Sequence, residues 1–237
     1  FLQPGTILIF DDWNCFYGDN ERGQRKAFRE FLVSNKNLHF EEFVSDAESK
    51  SFVFIKYLDW IDWTLMFLKK LKNKKLKISI VGLGYVGLPL ALLFGKKFCT
   101  YGIDKSLNKI KNFKKFNDQN NQFKKINFIN SKYINFTSNY EVIKKSDVII
   151  VCLPTPINKQ KKPDLSIIKK ATSEISKNLK DNSIIIYEST VFPGVVEDIC
   201  KPIIEKVSGY KWKKNFYLGY SPERVNPNDK LHTIEKI

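Results

Sequence analysis

The chain has 237 residues, 43% of them hydrophobic and 27% charged, with four cysteines and a formal net charge of +15. This is enough apolar material for one large domain or two small ones, and it excludes a disordered tail and a disulfide-held miniprotein. Cys15, Cys99, Cys152 and Cys200 form no CxxC pair and have no companion histidines, so neither a disulfide framework nor a zinc cluster is expected, and a reducing cytoplasm is the expected location.

The charge is unevenly spread. Residues 1–65 carry a net −4 and residues 66–237 a net +19. The excess is lysine in scattered pairs such as Lys69–Lys70, Lys114–Lys115 and Lys169–Lys170, while Arg22, Arg25 and Arg29 all lie in the first block. That pattern describes a solvated lysine surface with a general attraction for anionic small molecules, and no nucleic-acid partner is expected. No membrane partner is expected either: the apolar run Leu58 to Leu68 is interrupted by Asp59 and Asp62 and falls far short of the roughly 20 residues a span needs.

Taken in chain order, Thr6 to Phe10 is predicted as a strand after the turn Pro4-Gly5, ending on Asp11-Asp12-Trp13. Lys26 to Leu32 places Ala27, Phe28, Phe31 and Leu32 on one helical face, and Phe40 to Val44 and Ser51 to Tyr57 read as short strands. A helix and a strand pair of this size do not make a stable domain, so residues 1–57 are expected to be a short α+β fragment. Residues 58–75 are expected to be a linker or junction. Strands and amphipathic helices then alternate over residues 76–237. The strands are predicted at Leu76 to Gly82, Phe98 to Ile103, Asp147 to Leu153, Ser183 to Glu188 and Phe216 to Tyr220. Helices are predicted at Val86 to Phe94, Ser106 to Phe113, Tyr140 to Lys145, Leu165 to Leu179 and Val195 to Ser208, with an Asn- and Lys-rich connection after Phe113. Fully apolar strands such as Val148-Ile149-Ile150-Val151 require a parallel sheet covered on both faces, and the alternation predicts a Rossmann-type, doubly wound α/β fold.

Gly82, Gly84 and Gly87 form GxGxxG where the first of these strands meets its helix. Gly82 permits the tight turn, Gly84 lets backbone N–H groups approach a pyrophosphate, and Gly87 allows the helix to pack on the strand, with the anion at the helix's positive end. Asp104 ends the second strand, where a carboxylate accepts hydrogen bonds from both ribose hydroxyls. This predicts NAD; the nearby Lys105 and Lys109 leave NADP as the alternative. A glycine-rich turn in an unrelated α/β protein is the other explanation of the motif.

Four further segments carry a family resemblance: Gly84-Tyr85-Val86-Gly87-Leu88-Pro89; Leu153-Pro154-Thr155-Pro156 with Lys162-Pro163-Asp164-Leu165-Ser166; Glu188 to Gly194, ESTVFPG; and Tyr220 to Pro227, YSPERVNP. Together they resemble the N-terminal NAD-binding domain of the UDP-glucose/GDP-mannose dehydrogenase family, most closely the branch that oxidises UDP-N-acetylhexosamines for surface polysaccharides. The resemblance implies an NAD-dependent oxidoreductase that converts the C6 hydroxymethyl of a UDP-sugar to a carboxylate. It further implies that Gly82, Gly84, Tyr85, Val86 and Gly87 approach the pyrophosphate and that Asp104 and Lys109 hold the adenosine side. Thr155 and Thr190 line the cofactor, Thr190 also orienting a catalytic water, while Glu223 is the acid/base candidate and Glu223, Arg224 and Asn226 meet the substrate. From the residues alone, the alternatives are that Thr190 caps the following turn and that Glu223 with Arg224 forms a surface ion pair.

This sequence departs from the family pattern in two places. Pro227 stands where UDP-glucose members place a second carboxylate, and Asn228 where the N-acetylhexosamine branch commonly has Gly. The family's nucleophilic Cys, with its Lys and Asn companions, has no counterpart: Cys99 and Cys152 fall on predicted strands, Cys200 on a predicted helix and Cys15 in the first block. The chain is therefore expected to bind NAD without completing the reaction, and homo-oligomers are expected only of a longer parent.

Leu2 to Trp13, with the helix and strand pair that follow, resembles the C-terminal edge of a class I S-adenosylmethionine-dependent methyltransferase. Asp11 and Asp12 sit where a metal or substrate hydroxyls could be held, or else simply close an acidic loop. Phe1 is not Met, and Met66 is the only methionine. One expectation is that Met66 begins the dehydrogenase and residues 1–65 are the tail of a neighbouring gene. A methyltransferase–dehydrogenase fusion and a noncatalytic nucleotide-binding module are the alternatives.

Overall fold

The computed structural model describes residues 7–10, 30, 39–45, 50–55, 58–119, 122–157 and 161–221. They divide into two units, one ending at Asn73 and one beginning at Lys74.

In the first unit, β1 (Ile7–Phe10), β2 (His39–Ser45) and β3 (Lys50–Ile55) form an antiparallel sheet in the order β1-β3-β2. The expected strand pair is thus present, with an irregularity between Glu42 and Val44 and with β1 as a third member. The stretch expected as a junction is mostly one helix, α1 (Leu58–Lys72), which runs unbroken through Met66. Lys69, Lys70 and Lys72 occupy its last turn, where cations suit the negative end of the helix. Of the predicted helix at Lys26 to Leu32 only Glu30 is described, and it is helical. Asp11, Asp12 and Cys15 lie outside the described residues.

The second unit is built on a six-stranded sheet in the order β6-β5-β4-β7-β8-β9. Its strands are β4 (Lys77–Val81), β5 (Cys99–Ile103), β6 (Ile134–Thr137), β7 (Val148–Val151), β8 (Ser183–Tyr187) and β9 (Phe216–Tyr220). All five pairings are parallel. The helices are α2 (Gly87–Gly95), α3 (Leu107–Lys114), α4 (Lys125–Asn130), α5 (Ser166–Lys177) and α6 (Lys201–Ser208). The sheet order reverses between β4 and β7, so the chain winds outward twice from that central pair, as the doubly wound expectation requires. β7 is buried at every position, and Ile80, Val81, Ile149 and Val151 have no exposure. One cluster joins Ile149, Val151, Ile185 and Tyr187 of the sheet to Ile168 and Ile175 of α5 and to Val196, Cys200 and Ile204 of the following segment.

Within the second unit, three stretches differ from the sequence expectations. The Asn- and Lys-rich connection holds α4 and the edge strand β6, which polar residues conceal: only Phe136 of β6 is buried. The Phe136 ring packs tilted against Phe113 and Phe128, with centroids 5.3 Å and 6.1 Å away, and this aromatic cluster seats the strand where its own hydrophobicity would not. Tyr140–Lys145 is a 3-10 helix, not an α-helix. The helix predicted from Val195 to Ser208 starts as a π-helical turn, Val195–Cys200, before α6.

The amino ends of the central strands are tied by Asp147, whose carboxylate accepts Lys77 N–H at 2.9 Å and pairs with Lys180 Nζ at 2.7 Å. The buried Tyr187 hydroxyl shares a 2.8 Å hydrogen bond with Thr172 on α5, and burial pushes this phenol well above its ordinary range. Tyr217 is pushed up to about 12 by burial, with Asp181 adding to the effect. Tyr140 also reaches about 12, through burial and then the charges of Asp104 and Glu174.

These phenols give the fold a pH limit. In the unfolded chain they ionise near 10, whereas the folded state holds Tyr140 and Tyr217 protonated to about 12. The unfolded state therefore loses its protons first, so their contribution is complete below pH 10 and declines from there to about pH 12. Urea unfolding at steps from pH 8 to pH 11.5 should show this decline, and Tyr140→Phe with Tyr217→Phe should make it shallower. An equally steep decline in the double variant would contradict the assignment.

Candidate functional site

The crevice at the carboxyl ends of β4 and β7 is where a doubly wound sheet receives a ligand, and the glycine turn sits there. Gly82 has φ +95°, and a β-carbon on it would meet the Cys152 carbonyl oxygen at 2.5 Å. On Gly87 a β-carbon would lie 1.8 Å from the Gly82 carbonyl oxygen and 3.1 Å from Cys152 Cβ. Those two glycines bring α2 hard against the end of β4. Gly84 differs, since a β-carbon there meets nothing within 4 Å. A position without neighbours in this turn is where the motif lets a pyrophosphate come close to the backbone.

Helix α2 begins after Val86 with no side-chain cap and no acidic residue in its first turn. A helix start without a competing carboxylate suits a pyrophosphate; here Leu88 N–H is already given to the Gly84 carbonyl at 3.0 Å and Pro89 has no N–H, so the dipole and the N–H groups before Leu88 are what the turn offers. Tyr85 is exposed beside this turn and Val86 is buried beneath it.

Asp104 is 9% exposed and its carboxylate is fully directed. Oδ1 accepts Ser106 N–H at 2.9 Å. Oδ2 accepts Leu83 N–H at 3.1 Å and lies 3.2 Å from Lys109 Nζ, which also reaches the Leu83 carbonyl at 3.5 Å. Ser106 caps α3 by accepting Lys109 N–H at 3.3 Å, which fixes the helix that delivers this lysine. Asp104 and Lys109, expected together on the adenosine side, are therefore an ion pair, joined by Leu83 and Ser106. Sequence reasoning missed the Leu83 N–H because a backbone donor carries no residue signature.

Across the crevice, the Thr155 hydroxyl donates a short hydrogen bond to the Thr190 carbonyl oxygen, bringing the two expected threonines together. The Thr190 hydroxyl takes no part in that link. Nor does it cap the next turn: the cap position is Gly194, in a left-handed conformation with no side-chain cap. Ser189, quoted in the ESTVFPG segment but given no role, ties the loops after β7 and β8 through Val151 and Leu153. The Tyr220 hydroxyl reaches the Val191 carbonyl at 3.4 Å, and Ser221 N–H reaches Tyr187 at 3.0 Å, so β9 closes on the same rim. Glu223, Arg224 and Asn226 lie outside the described residues.

Cys200 is fully buried and its thiol is pushed up by burial, with Tyr187 and Thr172 opposing through hydrogen bonds. Cys152 is buried beneath the glycine turn. Cys99 begins β5 and so lies at the opposite edge of the sheet from the crevice. Among the described residues no group of three His, Cys, Asp or Glu side chains could hold a metal ion, and no helix is long and apolar enough to cross a membrane.

Comparison with known proteins agrees with this geometry. Residues 76–237 match the family model described as the UDP-glucose/GDP-mannose dehydrogenase family, NAD binding domain. The protein CapL of Staphylococcus aureus is 47% identical over 160 residues, covering 68% of this chain and 38% of that protein. A UDP-N-acetyl-D-glucosamine 6-dehydrogenase of Pseudomonas aeruginosa is 44% identical over 164 residues, covering 69% and 39%. Among solved structures, a UDP-N-acetyl-mannosamine dehydrogenase from Staphylococcus aureus superposes with a TM-score of 0.58 at 30% identity, covering 68% of this chain and 39% of that one. The chain thus spans about two fifths of the length of these relatives. The methyltransferase-like reading of residues 1–57 gains no support from them, since the family match begins at residue 76.

The glycines separate two roles that one experiment can distinguish. Gly87→Ala should destabilise the second unit by about 3 kcal/mol, because the new methyl meets backbone that cannot move aside. Gly84→Ala should change stability by no more than about 0.5 kcal/mol while weakening dinucleotide binding. Urea unfolding and nucleotide titration of both variants check the pair; a destabilised Gly84→Ala would show that its open side is not reserved for ligand.

Proposed function

The chain belongs to the UDP-glucose/GDP-mannose dehydrogenase family and carries its NAD-binding domain, and from that premise we propose that it serves a nucleotide-sugar 6-dehydrogenase acting on a UDP-N-acetylhexosamine. The observation that carries the NAD reading is the directed carboxylate of Asp104 beside the glycine turn. A carboxylate at this position accepts hydrogen bonds from the hydroxyls of an unmodified ribose and repels a 2′-phosphate. NAD supplies the hydride acceptor for oxidation of the sugar C6 hydroxymethyl. The protein's own groups bind and orient: the glycine turn and α2 take the pyrophosphate, Asp104 and Lys109 the adenosine ribose, and Thr155 and Thr190 the far side of the crevice.

The choice of an N-acetylhexosamine is supported by the ESTVFPG and YSPERVNP segments and by the names of the similar proteins. In this reading Thr190 orients water, Glu223 handles the proton, and Arg224 and Asn226 meet the sugar nucleotide. Completing the oxidation to a carboxylate needs a thiolate to hold the aldehyde. Cys152 and Cys200 are buried and Cys99 lies at the wrong edge of the sheet, so none of these supplies it. Asp104→Ala should weaken NAD binding about tenfold or more, since a charge-assisted contact to ribose is lost. Titration calorimetry on the 237-residue chain measures this, and unchanged affinity would reject the ribose assignment. The same chain, given NAD and UDP-N-acetylglucosamine, should form no NADH above background; steady turnover would reject the need for a further nucleophile.

A further inference from the structure

The loops that leave β7 and β8 are joined by a hydroxyl that the function proposed above does not use. Ser189 is 3% exposed. Its Oγ donates to the Val151 carbonyl at 3.2 Å and accepts Leu153 N–H at 3.1 Å. The Val151 carbonyl also accepts Glu188 N–H at 2.9 Å. Removing the hydroxyl therefore leaves the end of the β7–β8 ladder closed and deprives one group, Leu153 N–H, of its partner.

Leu153 N–H opens the segment Leu153-Pro154-Thr155-Pro156, whose two prolines have no N–H to offer. The segment is tied to the β8 loop at Leu153 through Ser189 and at Thr155 through the Thr190 carbonyl. A dinucleotide with its adenosine ribose at Asp104 and its pyrophosphate at the glycine turn continues across the β4–β7 switch point to these same loops. We propose that Ser189 is a positioning residue for the nicotinamide half of the dinucleotide: by holding Leu153 N–H it sets the Leu153–Pro156 segment against the β8 loop and so places Thr155 and Thr190. This rests on the reading of the crevice as an NAD site.

ADP-ribose has the adenosine and pyrophosphate of NAD and lacks the nicotinamide, so it reports on the first half alone. Calorimetric titration of the 237-residue chain with NAD and with ADP-ribose, for the unaltered protein, Ser189→Ala, Thr155→Ala and the double variant, tests the proposal. Ser189→Ala should weaken NAD about tenfold and leave ADP-ribose within about twofold, the loss expected from one unpaired buried N–H displacing its loop. The double variant should bind NAD no more weakly than the worse single variant, because both side chains act through one segment. Equal losses on both ligands, unchanged NAD affinity or additive losses would overturn the role. Should Ser189→Ala fail to fold, Ser189→Cys, close in size with a weak S–H donor, should show the same selective loss. Unaltered protein that binds no NAD would overturn the NAD reading itself, whereas normal NAD binding by both the unaltered protein and Ser189→Ala overturns only the positioning role.

Discussion

The second unit depends on how closely α2 approaches the turn that precedes it. The Gly82 carbonyl oxygen lies where a β-carbon of residue 87 would be, so the helix can start at this point only because that carbon is missing. From that contact the helix start is aimed into the crevice, Leu83 N–H is left pointing at Asp104, and Cys152 is covered from above. A bulkier residue would push the helix off the sheet and undo all three together.

The sheet supplies the counterpart to this contact. β4 and β7 are fastened at their amino ends by Asp147, which bonds Lys77 N–H and pairs with Lys180. At their carboxyl ends the chain departs in opposite directions: Cys152 N–H to Val81 carries the β4–β7 pairing to the start of the loop, and Gly82 N–H to Ile103 does the same for β4 and β5. The rigid edge and the open edge thus lie at opposite ends of the same strands. The open end is where the threonines, Ser189 and the β9 rim meet.

Electrostatics act locally here despite the large net charge. Lys109 is held by Asp104 and by the Leu83 carbonyl. Lys180 is held by Asp147 and Lys177 by Glu174, and salt screens exposed charges from one another beyond about 10 Å. The net charge gives a general attraction for anions, while in the proposed NAD site selection of an unmodified ribose falls to Asp104.

Within residues 76–237 the alternation of strands and helices, the glycine turn and the acid at the end of the second strand are all legible in the residues. Each is a local pattern: apolar runs, residues that need positive φ or lack a β-carbon, and a fixed distance to a carboxylate. The sequence did not reveal β6 or α4, whose residues are polar or short and are held by the ring of Phe136 packed on Phe113 and Phe128. Neither did it reveal that residues 58–72 are helical, because an aromatic run entering a lysine cluster fits a connection as well as a helix. The work of Leu83 N–H and Ser189 was decided only by tertiary structure. A backbone donor has no letter of its own, and a serine hydroxyl gains meaning only when folding brings Val151 and Leu153 beside it.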